Sequence, residues 1–157
     1  MKDANLTFCT ATSVAASASS TPVLIGSQIN LRAAGLNPGA GLPIYLVIVT
    51  TTEIITGGAA GTIQFILASD DSATVHATTS TYHMLTPKLA TDDAAANSAK
   101  LNANGVIYKG AIPIDTYEQY IGLLCLTETT TTTAGAITAF LTTDPNAWKA
   151  YSDAVDF

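Results

Sequence analysis

The sequence predicts an all-β fold, a jelly roll or two-sheet β-sandwich of about eight strands with terminal arms. Three observations predict it. The segment Leu42 to Thr51 holds the longest apolar run, with six residues from Ile44 to Val49 uninterrupted by a polar one. Short β-branched segments recur along the chain, separated by Gly, Pro, Asn and Asp. Helix signals gather in one stretch alone, 92–100.

Taken in order, residues 1–12 form an N-terminal arm. Leu6 and Phe8 alternate with Thr7 and Cys9, the pattern of a short edge strand. Residues 13–21 are small and polar, a loop. Pro22 to Gly26 is a short strand with Pro at its first position, where no ladder donor is needed. Ile29 and Leu31 continue the alternation towards Arg32. The run Ile44–Val49 is far shorter than the ~20 apolar residues that span a bilayer. A continuous β-branched run of this length reads as a strand buried on both faces. The breakers Asn37-Pro38-Gly39-Ala40-Gly41 precede it and Gly57-Gly58-Ala59-Ala60-Gly61 follow it. Thr62 to Ala68 then reads as the returning strand of a central hairpin.

Weak alternation over 73–79 predicts a half-exposed strand, and 81–86 another. In 92–100, Asp92 and Asp93 at the start and Lys100 at the end suit a helix dipole, and Asn104-Gly105 supplies a stop. No apolar face accompanies it, so one short surface turn is expected. Val106-Ile107-Tyr108 and Ala111 to Ile114 are strand pieces. Tyr117 to Thr127 holds the second strong strand, with Tyr120 to Leu126 at its heart, followed by the polar turn 129–135 and a last strand over 136–142. Ile137, Ala139 and Leu141 would share one of its faces. The core thus runs over 13–143 of a single domain. A tail, 144–157, carries the only Trp.

At 157 residues one domain is the natural count. Hydrophobic residues make up 48% and charged residues only 11%, against an ordinary quarter or so. Much of the exterior must then be Thr, Ser, Ala and Asn, a surface suited to being covered. The net charge is −6, and the six basic residues are scattered. Nucleic-acid binding needs them clustered, so no nucleic-acid partner is expected. No membrane partner and no signal peptide are expected either, because no apolar h-region follows the N-terminus. Cys9 and Cys125 form no spacing motif; free buried thiols are the reading, with a single bridge between them as the alternative.

The search for chemistry returns little. His76 and His83, with Asp70 and Asp71 nearby, lack the convergent third and fourth ligands of a metal site. Asp115 and Glu118 could form a glycosidic carboxylate pair but read better as turn capping before a strand. The glycine loop 57–61 has no Lys-Ser/Thr and no helix behind it, so it is not a phosphate loop. No Gly-x-Ser-x-Gly occurs. No cofactor, no metal and no enzyme activity are expected. Trp148, Tyr151 and Phe157 in the tail read equally as ordinary core or as interface anchors; with Leu6 and Phe8 in the arm they are the candidate interface residues.

The order of these segments resembles a known family. Pro22-Val23-Leu24-Ile25-Gly26, then Leu42 to Val49, then Gly61 to Asp71, and finally Tyr120 to Leu124 and Ala134 to Leu141 are similar in sequence to the capsid cement (decoration) proteins of short-tailed bacteriophages. The likeness covers roughly residues 5–143 and is carried by strand and turn words, with no catalytic signature. It implies a viral structural protein on the outer capsid surface, made in the bacterial host cytoplasm. There it would bridge neighbouring capsomers, with the major capsid protein and other copies of itself, a homodimer or trimer, as partners. The tail and the Ala- and Thr-rich insert 86–104 depart from that pattern. The alternative expectation is a carbohydrate-binding, lectin-like jelly-roll module of a virion.

Overall fold

The computed structural model describes residues 6–15, 19–38, 43–57, 60–91 and 99–146. These build ten strands and one helical turn. The order is β1 (Thr7–Ser13), β2 (Ser19–Leu24), β3 (Ile29–Asn30), α1 (Leu31–Ala34), β4 (Tyr45–Ile55), β5 (Thr62–Asp70), β6 (Thr81–Leu85), β7 (Leu89–Ala90), β8 (Val106–Ala111), β9 (Tyr120–Glu128) and β10 (Ala134–Thr142).

Two antiparallel sheets pack face to face. One has the order β1-β10-β4-β8 and the other β2-β9-β5-β6, with β3 pairing β9 and β7 pairing β5. Three of the four matching positions are joined directly along the chain, β1 to β2, β4 to β5 and β9 to β10, and the fourth, β6 to β8, is joined through β7. That is the ordering of a jelly roll, two sheets wound from paired strands.

This ordering corrects one expectation. The strands 44–51 and 62–68 do not form a hairpin. They lie in opposite sheets and stack across the core, and the same holds for β9 and β10. Periodicity reports which face of a strand is apolar, but it cannot say whether the next strand lies beside it or opposite. Leu46, Ile48 and Ile54 on β4, with Ile63, Phe65 and Leu67 on β5, all belong to the one central core. Ile137, Ala139 and Leu141 share the core-facing side of β10 as expected. β4 is also buried on its other face, where Val47 and Val49 cluster with Phe140 of β10.

Three local expectations also change. Residues 73–79 form a loop of turns and bends, not a strand; it folds back so that Val75 is buried. Leu31 is not a strand residue but opens α1. Asn30 caps that turn, its side-chain oxygen accepting the backbone N–H groups of Arg32 and Ala33. The strand piece at 111–114 ends with β8 at Ala111. The expected helix at 92–100 lies almost wholly outside the described residues.

Threonine does more than coat the surface. Thr50, Thr56, Thr86, Thr91, Thr127 and Thr132 are buried. Several pin the sheet-to-sheet crossovers: Thr56 Oγ1 donates to the Thr91 carbonyl at 2.7 Å, and Thr132 Oγ1 to the Val14 carbonyl at 2.7 Å. A hydroxyl that satisfies a buried carbonyl removes a desolvation cost of about 1–3 kcal/mol. The turn after β2 needs a glycine. Gly26 has φ +73°, and any Cβ there would drive into the Phe8 carbonyl.

Candidate functional site

The sequence-predicted anchors separate. Phe8 is a core residue, 2% exposed, in the central cluster, and Leu6 is half-buried against that cluster. β1 is a built-in edge strand that turns both Phe8 and the adjacent Cys9 into the core, with register shifts on either side of Cys9, so Phe8 is no surface anchor in this fold. Trp148, Tyr151 and Phe157 lie outside the described residues. Cys9 and Cys125 are buried in the core and form no disulfide. His76 is exposed in the loop after β5, and its backbone N–H donates to Asp70. Among the described residues no three His, Cys, Asp or Glu side chains gather where they could hold a metal, and no helix is long and apolar enough to cross a membrane.

What the structure does bring together is a polar cluster at one end of the sandwich. Ser69 follows Ile63, Phe65 and Leu67 on the inward face of β5 and is fully buried. His83 reaches it from β6. The Ser69 Oγ to His83 Nε2 distance is 2.7 Å, and His83 Nδ1 to Asp115 Oδ2 is also 2.7 Å. The His83 side chain is wholly buried, while that of Asp115 is half exposed. Glu118 completes the set. Its backbone N–H donates to Ser69 Oγ at 3.1 Å, and Ser69 Oγ donates to Glu118 Oε2 at 3.3 Å. Tyr117 lies against the imidazole, ring centroids 4.1 Å apart and tilted by 34°. Its hydroxyl donates to the Pro113 carbonyl at 2.8 Å.

The electrostatics follow the geometry. The hydrogen bond from His83 holds the Asp115 carboxyl below its ordinary range, helped by the Thr116 N–H. Burial, with the Asp115 charge beside it, pushes the Tyr117 hydroxyl up to about 12. Asp70, the next residue on β5, faces the other way. It accepts from the Ser72 and His76 N–H groups and the Thr79 hydroxyl, which lower its carboxyl and tie down the loop 71–79.

Serine, histidine and aspartate stand here in the spatial order used for acyl transfer. The environment is different. Ser69 Oγ has no face open to a substrate, already accepts a backbone N–H, and has the Glu118 carboxylate where an oxyanion would need donors. The arrangement ties the segment 112–119 to the second sheet. Sequence reading placed Asp115 and Glu118 on a turn before a strand and took His76 and His83 as surface or sheet-edge histidines; the His83 side chain is instead buried. The usable signal was Ser69 itself: a polar residue in phase with Ile63, Phe65 and Leu67 must find a polar partner when buried.

A second feature is the outer face of the second sheet. The register aligns Leu24, Leu124, Ile66 and Leu85 across β2, β9, β5 and β6. Val75 closes over part of this row, and Ala77, Tyr120 and Leu126 flank it. Leu85 remains 54% exposed, with Tyr82 beside it on β6. Ile114, at the tip of 112–119, is 85% exposed.

Compared with known proteins, the chain is matched by no family model and by no curated protein.

Proposed function

We propose that the chain is a capsid decoration protein, a virion component that binds the outer surface of a tailed-phage capsid and bridges neighbouring capsomers. The observation that carries this reading is the apolar row on the outer face of the second sheet, ending in exposed Leu85 and Tyr82, on a chain with 11% charged residues. A double sheet with few charges outside is suited to lying against other proteins. Its partners are the major capsid protein and further copies of itself. Several weak contacts made at once give firm attachment through effective concentration, and each must bury on the order of 1,000 Å² or more.

The test uses virions of the phage that encodes the chain. Density for this double sheet on the outside of purified particles is expected, with Leu85 and Tyr82 at a protein contact. Particles lacking the chain, or holding it inside the shell, would overturn the reading. Leu85→Asp should lower occupancy while leaving the fold intact. Removal of 145–157 should also loosen attachment, and unchanged occupancy would dismiss the tail as an anchor.

A further inference from the structure

The first sheet has an outer face that is dry where it stands tallest. Leu46 and Ile48 of β4, with Ile137, Ala139 and Leu141 of β10, point into the core, so Val47, Val49 and Phe140 point out. All three are nonetheless buried: Val47 is 0% exposed, Val49 4% and Phe140 2%. The register sets their neighbours. Thr7, Phe140, Val47 and Lys109 lie in one row across β1, β10, β4 and β8, and Thr138, Val49 and Val106 in the next. Lys109 is exposed, and Thr7, Thr138 and Val106 are half-buried. A phenyl ring standing off a sheet is taller than the threonines and valine beside it. They flank the ring without roofing it, and a bare face would leave the ring the most exposed member of its row. The observed pattern is the reverse, a dry centre inside a wetter rim, as at a covered contact.

The chain itself turns towards this face. Thr142 is in phase with Phe140, so its hydroxyl lies on the outer side. The Asp144 N–H donates to that hydroxyl at 3.1 Å, and the hydroxyl donates to the Asp144 carbonyl at 3.3 Å. The Asn146 N–H donates to Asp144 Oδ1 at 3.0 Å. The backbone is thereby folded over the outward side chain of Thr142 instead of running straight off the sheet.

The segment that follows, 147–157, has the length and chemistry to roof the patch. Trp148 is six residues beyond Thr142, and Phe140 lies about 7 Å back along the strand from Thr142. Eleven residues reach at most about 36–40 Å, and four strands spaced about 4.8 Å apart are narrower than that. The segment carries Trp148, Tyr151, Val155 and Phe157. The other stretches outside the described residues, 1–5, 16–18, 39–42, 58–59 and 92–98, hold no aromatic residue. Charge agrees as well: Lys109 stands at the rim, and Asp153 and Asp156 lie in the segment.

We propose that the segment 147–157 docks on the outer face of the first sheet of its own chain, with the Trp148 indole over Phe140, Val47 and Val49. The first sheet is then covered on both sides, by the core within and by its own chain without. The outer face of the second sheet, ending in Leu85 and Tyr82, is left as the apolar face open to a partner. The docking is a property of the isolated chain, so its test stands apart from the capsid reading.

The experiment uses the full chain, in which Trp148 is the one tryptophan, so every indole signal belongs to it. NMR should show nuclear Overhauser contacts from the indole to the Val47 and Val49 methyl groups and to the Phe140 ring. Tryptophan emission should lie at shorter wavelength than in concentrated urea. Both should survive dilution, and in an equal mixture of labelled and unlabelled protein the contacts should arise within one chain. Val47→Asp puts a charge beneath the indole. It should move the emission to the wavelength of the unfolded chain while the β9 amides, such as that of Leu123, stay protected from hydrogen exchange. If that variant does not fold, Val49→Thr, nearly the same in shape, should give a smaller shift in the same direction. Trp148→Ala should bare the patch and raise the binding of an apolar fluorescent dye. An indole without contacts to these three residues, native emission already at the unfolded wavelength, or contacts that arise only between chains would overturn the proposal.

Discussion

Val75 lies directly on Gly122: a Cβ built on the glycine would stand 3.0 Å from the Cβ of Val75 and 2.9 Å from Leu24 Cδ1. The loop after β5 thus closes over the second sheet at the one place on β9 that lacks a side chain. Gly122→Ala is expected to destabilise the protein by roughly 1–3 kcal/mol, because the loop must lift or Leu24 must leave its rotamer. Val75→Ala should cost about 1.5 kcal/mol for two buried methyl groups. Urea denaturation followed by far-UV circular dichroism measures both, and the double variant should cost less than the sum.

Phe8 is a core residue, and its truncation tests that placement. Phe8→Ala is expected to cost about 3–5 kcal/mol, the usual range for an aromatic in a packed core. Because β1 lies at a sheet edge, the loss should expose β1 amides first in hydrogen exchange. A variant as stable as the parent would return Phe8 to the surface.

Acid should unfold the loop 71–79 through Asp70. Its folded carboxyl lies below its unfolded value, held there first by the Ser72 N–H and then by the His76 N–H and the Thr79 hydroxyl. The stabilisation is therefore fully present above the ordinary carboxylate range, about pH 4, and is lost as pH falls through the lower folded value. Asp70→Asn should lower stability at neutral pH and flatten the acid limb of a stability–pH profile. Equal acid limbs in the two proteins would count against this assignment.

The thiols should be silent until the chain unfolds. Burial pushes Cys125 up to about 12, so almost no thiolate exists near neutral pH. Cys9 is buried as well, its thiol donating to the Ile137 carbonyl at 3.6 Å. Labelling with a thiol reagent at neutral pH should require denaturant, and then consume both cysteines in one transition. Rapid reaction of either in the native protein would refute it.

Much of the fold was legible because strand periodicity is a local signal. Ile44–Val49, Tyr120–Leu126 and 136–142 announce themselves by their own side chains. The pairing of those strands was not legible, since Leu46 and Phe65 are equally apolar whether they meet side by side or face to face. The loop 73–79 imitated a strand because Val75 and Ala77 alternate with polar neighbours. Their burial comes from packing on Gly122 and its surroundings, which no short window contains. The polar cluster escaped for the same reason. Ser69, His83, Asp115 and Glu118 span 49 residues between Ser69 and Glu118, and only the sheet order makes them neighbours.

The pairing of β1 with β10 sets when this protein can fold. Cys9 and Ile137 touch across 128 residues of chain, so the first sheet has no complete edge until nearly the last strand has left the ribosome. Of the two sheets, the second can begin earlier, since β5 and β6 are close in sequence and pair directly. Refolding should accordingly be slow, in the range of milliseconds to seconds typical of sandwiches with distant strand partners. A nascent chain that stalls before residue 134 would hold Phe8, Cys9 and the inner face of β4 open to any other unfinished copy beside it.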